Sequence, residues 1–493
     1  MRKILLALSS LVLLAALPIA SNQASVSPSR YRFFLEAKSR SDLRKLSGWL
    51  NRQSFDVAGV NLRRGTIEVL TDEAGVNFLR SKGMKGRLVT VPVVGGKSTR
   101  LSGLDARYLD PARVTKRLDD LHARFPNVTR IIEIGRSLKN LPIYGMIVST
   151  TLDTNDPKFH EKPTVLVDGM HHAREIMTPE IVLDIGETVL ASAARVKRAR
   201  SVLEGMNLVL VPMLNVDGNT LVWNEDNMWR KNARGDGGGS VFGVDINRNY
   251  AYRWNGCNGS SNSRGAQDYH GAGPASEPET KALMGVAEKV RPMASLSYHS
   301  YSELVLYPYG CDGDVTGENA LLEKLGKEMA GMLPEDSGGG HYTPGTPWQI
   351  LYAVDGDSMG YMFATYGAAS YTFEVNQDFQ PSYDLREPTL KKHRVAWAYF
   401  FDQIRTRLAT IHVTDAAGRP VPDAELDIVQ IQHTKGERAF RTNLAGNYFK
   451  VLLPGKYTVR VREKDGSSTA VDFVMGDHPE NVTVATKTFR RRR

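Results

Sequence analysis

The sequence predicts an α/β protein built around a mostly buried mixed sheet, with a small α/β block before it and a β-sandwich after it. Three observations carry this. Apolar runs such as Thr164-Val165-Leu166-Val167, Leu208-Val209-Leu210-Val211 and Ala294-Ser295-Leu296-Ser297 read as inner strands, and helix signals alternate with them. The 493-residue chain is too long for one ordinary core, and such a length gives about three domains. The pattern also changes twice, at Gly95-Gly96 and near Thr410.

Each block follows in order. Met1-Arg2-Lys3 is a short basic stretch, Ile4 to Ala20 is apolar, and Ser21-Asn22-Gln23-Ala24 offers small-residue cleavage sites, so residues 1–24 read as a signal peptide. An uncleaved N-terminal anchor is the alternative. No later stretch approaches ~18 uninterrupted apolar residues, so no membrane span is expected. In residues 25–100, strands are expected at Tyr31–Ala37 and Thr66–Leu70, and helices at Arg40–Leu50 and Glu73–Ser81. Gly95-Gly96-Lys97-Ser98-Thr99-Arg100 then punctuates the chain. In residues 101–408, Thr178-Pro179-Glu180 opens a helix to Leu190, with Pro early and an acid in the first turn. A last helix is expected over Lys391–Leu408. From 409 to 493, short β runs alternate with turn signals: Ile411-His412-Val413, Leu426–Ile431, Asn443-Leu444-Ala445-Gly446-Asn447 and Leu453-Pro454-Gly455. That spacing fits a β-sandwich.

The formal charge is 63 − 54 = +9, with Arg490–Arg493 at the end. No interleaving of aromatics with basic residues marks a nucleic-acid surface, so no nucleic-acid partner is expected. Cys257 and Cys311 are an even pair, which in an exported chain permits one disulfide; two unpaired thiols are the alternative.

The chemistry concentrates in His172-Ala173-Arg174-Glu175, after the strand-like run and the turn Asp168-Gly169-Met170. A His and a Glu three apart at a strand end can face one Zn²⁺, and two His with one Glu is a catalytic zinc set. His299, 124 residues beyond Glu175, is the candidate third ligand. With 11 His in the chain, ~0.6 His-x-x-Glu matches arise by chance, so the motif needs support. That support comes from Trp229-Arg230-Lys231, then Val244-Asp245-Ile246-Asn247-Arg248-Asn249-Tyr250, then His299-Ser300-Tyr301, Tyr352 and Tyr371-Thr372-Phe373-Glu374. In this order the groups resemble the zinc metallocarboxypeptidases of the carboxypeptidase A/B/T type, over roughly Tyr108 to Arg407.

The resemblance implies a mixed, eight-stranded-type sheet flanked by helices and one Zn²⁺ per chain. His172, Glu175 and His299 match the metal ligands. Asp245 matches the carboxylate that orients His172. Glu374 matches the general base, and Arg230 the stabiliser of the oxyanion. Arg248, with Asn247, matches the fork that grips a free C-terminal carboxylate. Tyr352 matches the mobile Tyr that closes over it, and Ser300 and Tyr301 match the subsite across the scissile bond. Arg174 is expected to add positive charge on the substrate side. Met359 aligns with the pocket floor and favours apolar or aromatic C-terminal residues. Asp357 aligns where broad-specificity relatives carry Asp, which would admit Lys or Arg; alternatively Asp355 and Asp357 only shape a turn. Residues 25–100 resemble the family's prosegments, with Lys97 and Arg100 as expected cleavage points, or else form a permanent accessory domain. Residues 409–493 resemble the transthyretin-like domain that follows some carboxypeptidases.

The expected product is therefore a secreted or periplasmic, monomeric enzyme that releases C-terminal residues from peptides and proteins. Two other readings stand beside it: a cell-wall amidase of the same superfamily cutting γ-D-glutamyl bonds, and a non-catalytic peptide-binding protein.

Overall fold

The computed structural model describes residues 30–62, 64–91, 104–463 and 465–487. The expected signal peptide, Lys97, Arg100 and Arg490–Arg493 lie outside the described residues.

Among them, a central sheet of eight strands runs in the order Thr343–Gly345, Leu304–Leu306, Ala369–Val375, Ala294–Ser300, Thr164–Gly169, Asn207–Val211, Pro142–Val148, Thr129–Arg136. The four middle strands run parallel to one another, and antiparallel partners flank them on both sides. Thr164–Gly169, Asn207–Val211 and Ala294–Ser300 are buried along their whole length, because helices cover both faces. The expected helix at Thr178 runs to Ala193 with Pro179 in its first turn. The last helix begins earlier than expected, at Arg386, because Pro388 falls in its first turn, where a missing N–H costs nothing.

The parallel strands end together, and their ends place the chemistry. His172 and Glu175 lie on the loop after Thr164–Gly169. His299 and Glu374 face each other in register on adjacent strands.

The N-terminal block is a four-stranded sheet, ordered Asp56–Asn61, Thr66–Thr71, Arg30–Glu36, Gly86–Val91, backed by helices Arg40–Arg52 and Glu73–Ser81. Its apolar core, with Phe33, Leu35, Ile67 and Val69, continues into Leu304, Leu306, Ile350, Leu351 and Met359 of the central block. The C-terminal block has a three-stranded sheet and a four-stranded sheet around one apolar core, from Leu408 to Ala485. Its strand Glu425–Ile428 is shorter than expected, since the chain turns at Val429 and Gln430. Cys257 and Cys311 form a disulfide, with Cα atoms 5.7 Å apart.

Candidate metal centre

Thr178 builds the loop that carries the first two candidate ligands. Its Oγ1 accepts from Met170 N at 3.0 Å and donates to Glu175 O at 2.8 Å. Ala173 N donates to Arg230 O, tying this loop to the segment that carries Arg230. His172 Nδ1 lies 2.7 Å from Glu175 Oε1 and 3.2 Å from His299 Nδ1. His299 Nδ1 lies 3.1 Å from Glu175 Oε2. One ligand atom from each residue falls within a 4.8 Å cluster, and all three residues are buried.

Four observations fit a Zn²⁺ here. The donor set is two imidazoles and a carboxylate, with distances short enough to surround one ion. Glu175 Oε2 is buried and accepts no hydrogen bond among the described residues, so a cation would satisfy it. Asp245 Oδ1 sits 3.2 Å from His172 Nε2, which fixes the ring and turns Nδ1 to the cluster. Burial, reinforced by the neighbouring imidazoles, lowers His299 to about 4, so it is neutral and able to ligate at neutral pH.

Asp245 is the electrostatic hub. Burial opposes its charge, but Arg230 and His172 hold it well below the usual carboxylate range. Arg230 gives it Nε and Nη2 at 3.2 and 2.8 Å, while Nη1 stands 4.0 Å from Glu175 Oε1. Asn247 N donates to Asp245 Oδ1 at 2.9 Å. The Asn247 side chain then reaches two ways, Oδ1 accepting from Ser358 N and Nδ2 standing 3.5 Å from His299 Nε2. Arg248 is aimed by Gly259 O and Asn247 O, at 3.1 and 2.9 Å. Glu374 has no ion-pair partner among the described residues. Burial first, and then the charge of Glu175, push it well above its usual range, against the pull of Arg230 and Arg248.

One cavity gathers most of the expected residues: His172, Glu175, Arg230, Asn247, Arg248, Ser300, Tyr301, Tyr352, Asp357, Met359 and Glu374 all line it. Arg174 does not; it lies to one side over the Phe379 ring, 4.1 Å from the centroid. Met359 is buried beside Leu306, Leu351 and Val354. Asp357 caps helix Ser358–Tyr366, its Oδ1 accepting from Gly360 N at 2.7 Å, and burial raises it above the usual carboxylate range. Asp355 accepts from Cys257 N and Gly259 N, shaping the disulfide loop.

The sequence passed over several residues at this site. His171, next to the ligand His172, stacks near His299, and its Nε2 meets the Tyr250 hydroxyl at 2.8 Å. Its signal was the doubled His, but one ligand was enough to read. The N-terminal block also meets this site: Asp56 and Glu68 hold residues beside the cavity, and Gly59 lines it. Asp56 grips Arg174 with both oxygens, at 2.6 and 2.9 Å, and Glu68 accepts from the Tyr301 hydroxyl and from Arg32. Ala58 and Gly59 form part of the cavity wall, and a Cβ on Gly59 would stand 2.5 Å from the Tyr301 ring. Nothing in the strand Asp56–Asn61, with its Gly and Asp, marked it as a strand at all.

Residues 114–394 match the model of the zinc carboxypeptidase family. The chain belongs to that family. It is 28% identical to carboxypeptidase O of Bos taurus over 288 residues, covering 58% of this chain and 74% of that protein. It is 30% identical to Bos taurus carboxypeptidase B2, covering 56% and 65%. The fold matches the crystal structure of carboxypeptidase A from Helicoverpa armigera with a TM-score of 0.63 at 23% identity, over 76% of this chain and 95% of that one.

Proposed function

We propose that the chain is an exported, monomeric exopeptidase that removes apolar or aromatic C-terminal residues from peptides and is made as a covered precursor. One observation carries the reading: the buried His2Glu cluster, Glu374 and the Arg248 fork share a single cavity whose far wall is apolar. His172, Glu175 and His299 would hold the Zn²⁺. When bound, the ion polarises the scissile carbonyl and acidifies water.

The chain's own residues do the rest. Arg248 and Asn247 take the substrate's terminal carboxylate, and Tyr352 closes over it. Leu306, Leu351, Val354 and Met359 receive the terminal side chain and exclude water from it. Glu374 accepts a proton from the attacking water as its oxygen bonds the carbonyl carbon. It then gives that proton to the leaving nitrogen as the C–N bond breaks. Arg230, fixed by Asp245, faces the oxygen that gains charge. Arg174, Ser300 and Tyr301 serve the subsite before the scissile bond. Asp357 is spent on its helix cap, which supports only weak acceptance of Lys or Arg. Retention of Glu374 supports catalysis over binding alone, and the Arg248–Asn247 pair favours an ordinary α-carboxylate over a cell-wall amide.

The N-terminal block supports the precursor reading. It occupies Arg174 and Tyr301 with Asp56 and Glu68, and the cavity beneath keeps only about 40 Å³ of free space, enough for a few waters. The apolar leader supports export.

A panel of N-blocked dipeptides differing in the C-terminal residue, assayed with and without chelator after removal of residues 25–100, tests the reading. Chelator-sensitive release of Phe, Tyr, Leu or Met is expected. Equal cleavage of amidated and free-acid substrates, or activity indifferent to chelator, would overturn it.

A further inference from the structure

Among the described residues, the C-terminal sandwich has no metal-ligand cluster of its own, yet it meets the central block at one functionally placed element. Helix Ser358–Tyr366 carries Met359 in its first turn. That end is held inside the active block: Asp357 caps it, and Ser358 N donates to Asn247 Oδ1 at 2.9 Å. The other end is held by the sandwich. Gly367 caps the helix with φ +67°, its N–H donating to Phe363 O, and its carbonyl accepts from Lys450 Nζ at 2.6 Å. The Tyr448 hydroxyl donates to Tyr366 O at 3.2 Å, and Arg438 N donates to Ala364 O at 2.8 Å. A helix leaves its last carbonyls without partners and concentrates partial negative charge there, so a buried ammonium and a hydroxyl are suited to that end.

The match is close. A Cβ on Gly367 would lie 2.4 Å from the Tyr448 hydroxyl and 3.0 Å from Lys450 Nζ, so the backbone approaches the sandwich as only glycine allows. Lys450 is buried, and its charge is balanced by Glu318, also buried, at the start of helix Asn319–Gly331. A second contact acts on the pocket rim. Glu437 of the sandwich accepts from the Tyr309 hydroxyl at 2.6 Å, two residues before the disulfide Cys311, and Val354 N of the pocket wall donates to Gly310 O.

We propose that the sandwich is a specificity-positioning element: Lys450 and Tyr448 fix the far end of the pocket helix, and so set where Met359 stands. The inference rests on the reading of Met359 as the pocket floor. A nine-residue helix moves nearly as a rigid rod, so releasing one end shifts the other. The reacting groups Glu374, Arg230 and Arg248 stand on other segments and would not follow.

The test is steady-state kinetics on free-acid dipeptides ending in Phe or Ala. Lys450→Met alone would strand the buried charge of Glu318, so the variant is Glu318→Gln with Lys450→Met, and Tyr448→Phe is the mild companion that removes one hydroxyl. In the double variant the Phe/Ala ratio of kcat/KM should fall by about tenfold, through KM, with kcat on Ala substrates and zinc content unchanged within about threefold. Tyr448→Phe should move the ratio the same way by about threefold. An unchanged ratio in Tyr448→Phe, or a loss of kcat shared equally by both substrates, would overturn the proposal and leave the sandwich a plain structural support. Met359→Asp in the otherwise intact enzyme separates the two readings: if it too leaves the ratio unchanged, the pocket assignment has failed rather than the positioning.

Discussion

Glu374 and Glu175 lie in one cavity with opposite tendencies, and the contrast assigns their work. Burial raises both. Two imidazoles outweigh it for Glu175, while Glu374 meets only the partial pull of Arg230 and Arg248. A carboxyl that readily keeps a proton suits acid–base duty, and one that stays charged suits a cation. Glu374→Gln should therefore cost at least ~10² in kcat, with zinc content by elemental analysis equal to the parent's. Near-normal turnover would refute the role. Arg248→Ala should cost several kcal/mol in kcat/KM on free-acid substrates and much less on amidated ones, because a buried carboxylate loses its charged partner. Away from the site, Glu279 offers a stability test. Burial, aided by Glu277 and Asp217, raises it from 4.5 to about 7. The folded state thus binds its proton more tightly than the unfolded chain. Its stabilising effect is full below pH 4.5 and is lost as pH rises toward about 7. At ~1.4 kcal/mol per pH unit, that window carries up to about 3 kcal/mol. Denaturant melts of Glu279→Gln should show the variant gaining on the parent between pH 5 and pH 8; parallel pH profiles would contradict this.

At the scale of elements, legibility followed local signals. Helix Glu73–Ser81 and the start of Thr178–Ala193 were readable because caps, an early Pro and apolar spacing are encoded within a few residues. The metal cluster was readable because its members sit at strand ends in a fixed chain order. Asp56–Asn61 was not, since its stability comes from pairing with Thr66–Thr71 and from the cavity it faces. For Asp357 the sequence offered a pocket wall or a turn as alternatives, and the structure gives it both a helix cap and a place in the cavity wall, because one side-chain oxygen caps the helix while the residue still faces the cavity. That double role bears on specificity. Met359→Asp should move preference toward Lys and Arg by a few kcal/mol, since a charge in a partly desolvated pocket has a strong partner effect. Asp357→Ala should instead reduce stability and broadly impair the pocket. A Met359→Asp enzyme with an unchanged Phe-to-Arg ratio would show that the floor lies elsewhere.

At the scale of the whole molecule, the N-terminal block is expected to act as a ligand for the catalytic block. It shares an apolar core with Leu304, Leu306, Leu351 and Met359, and it presents two carboxylates to the groups that peptide substrates would use. Buried charge pairs such as Asp56–Arg174 are strong determinants once formed, because removing one partner strands the other. A covering block on the same chain acts at a high effective concentration, so it should stay bound until the linker is cut. Full-length protein is therefore expected to be nearly inactive, and cleavage near Lys97 or Arg100 should yield an active form starting near residues 98–105. Asp56→Ala with Glu68→Gln should weaken the cover and give the uncut precursor measurable activity on small dipeptides, while leaving the cut enzyme's kcat/KM unchanged. N-terminal sequencing of active protein that begins at the signal cleavage site would show instead that the block is a permanent accessory. So would a precursor as active as the cut form.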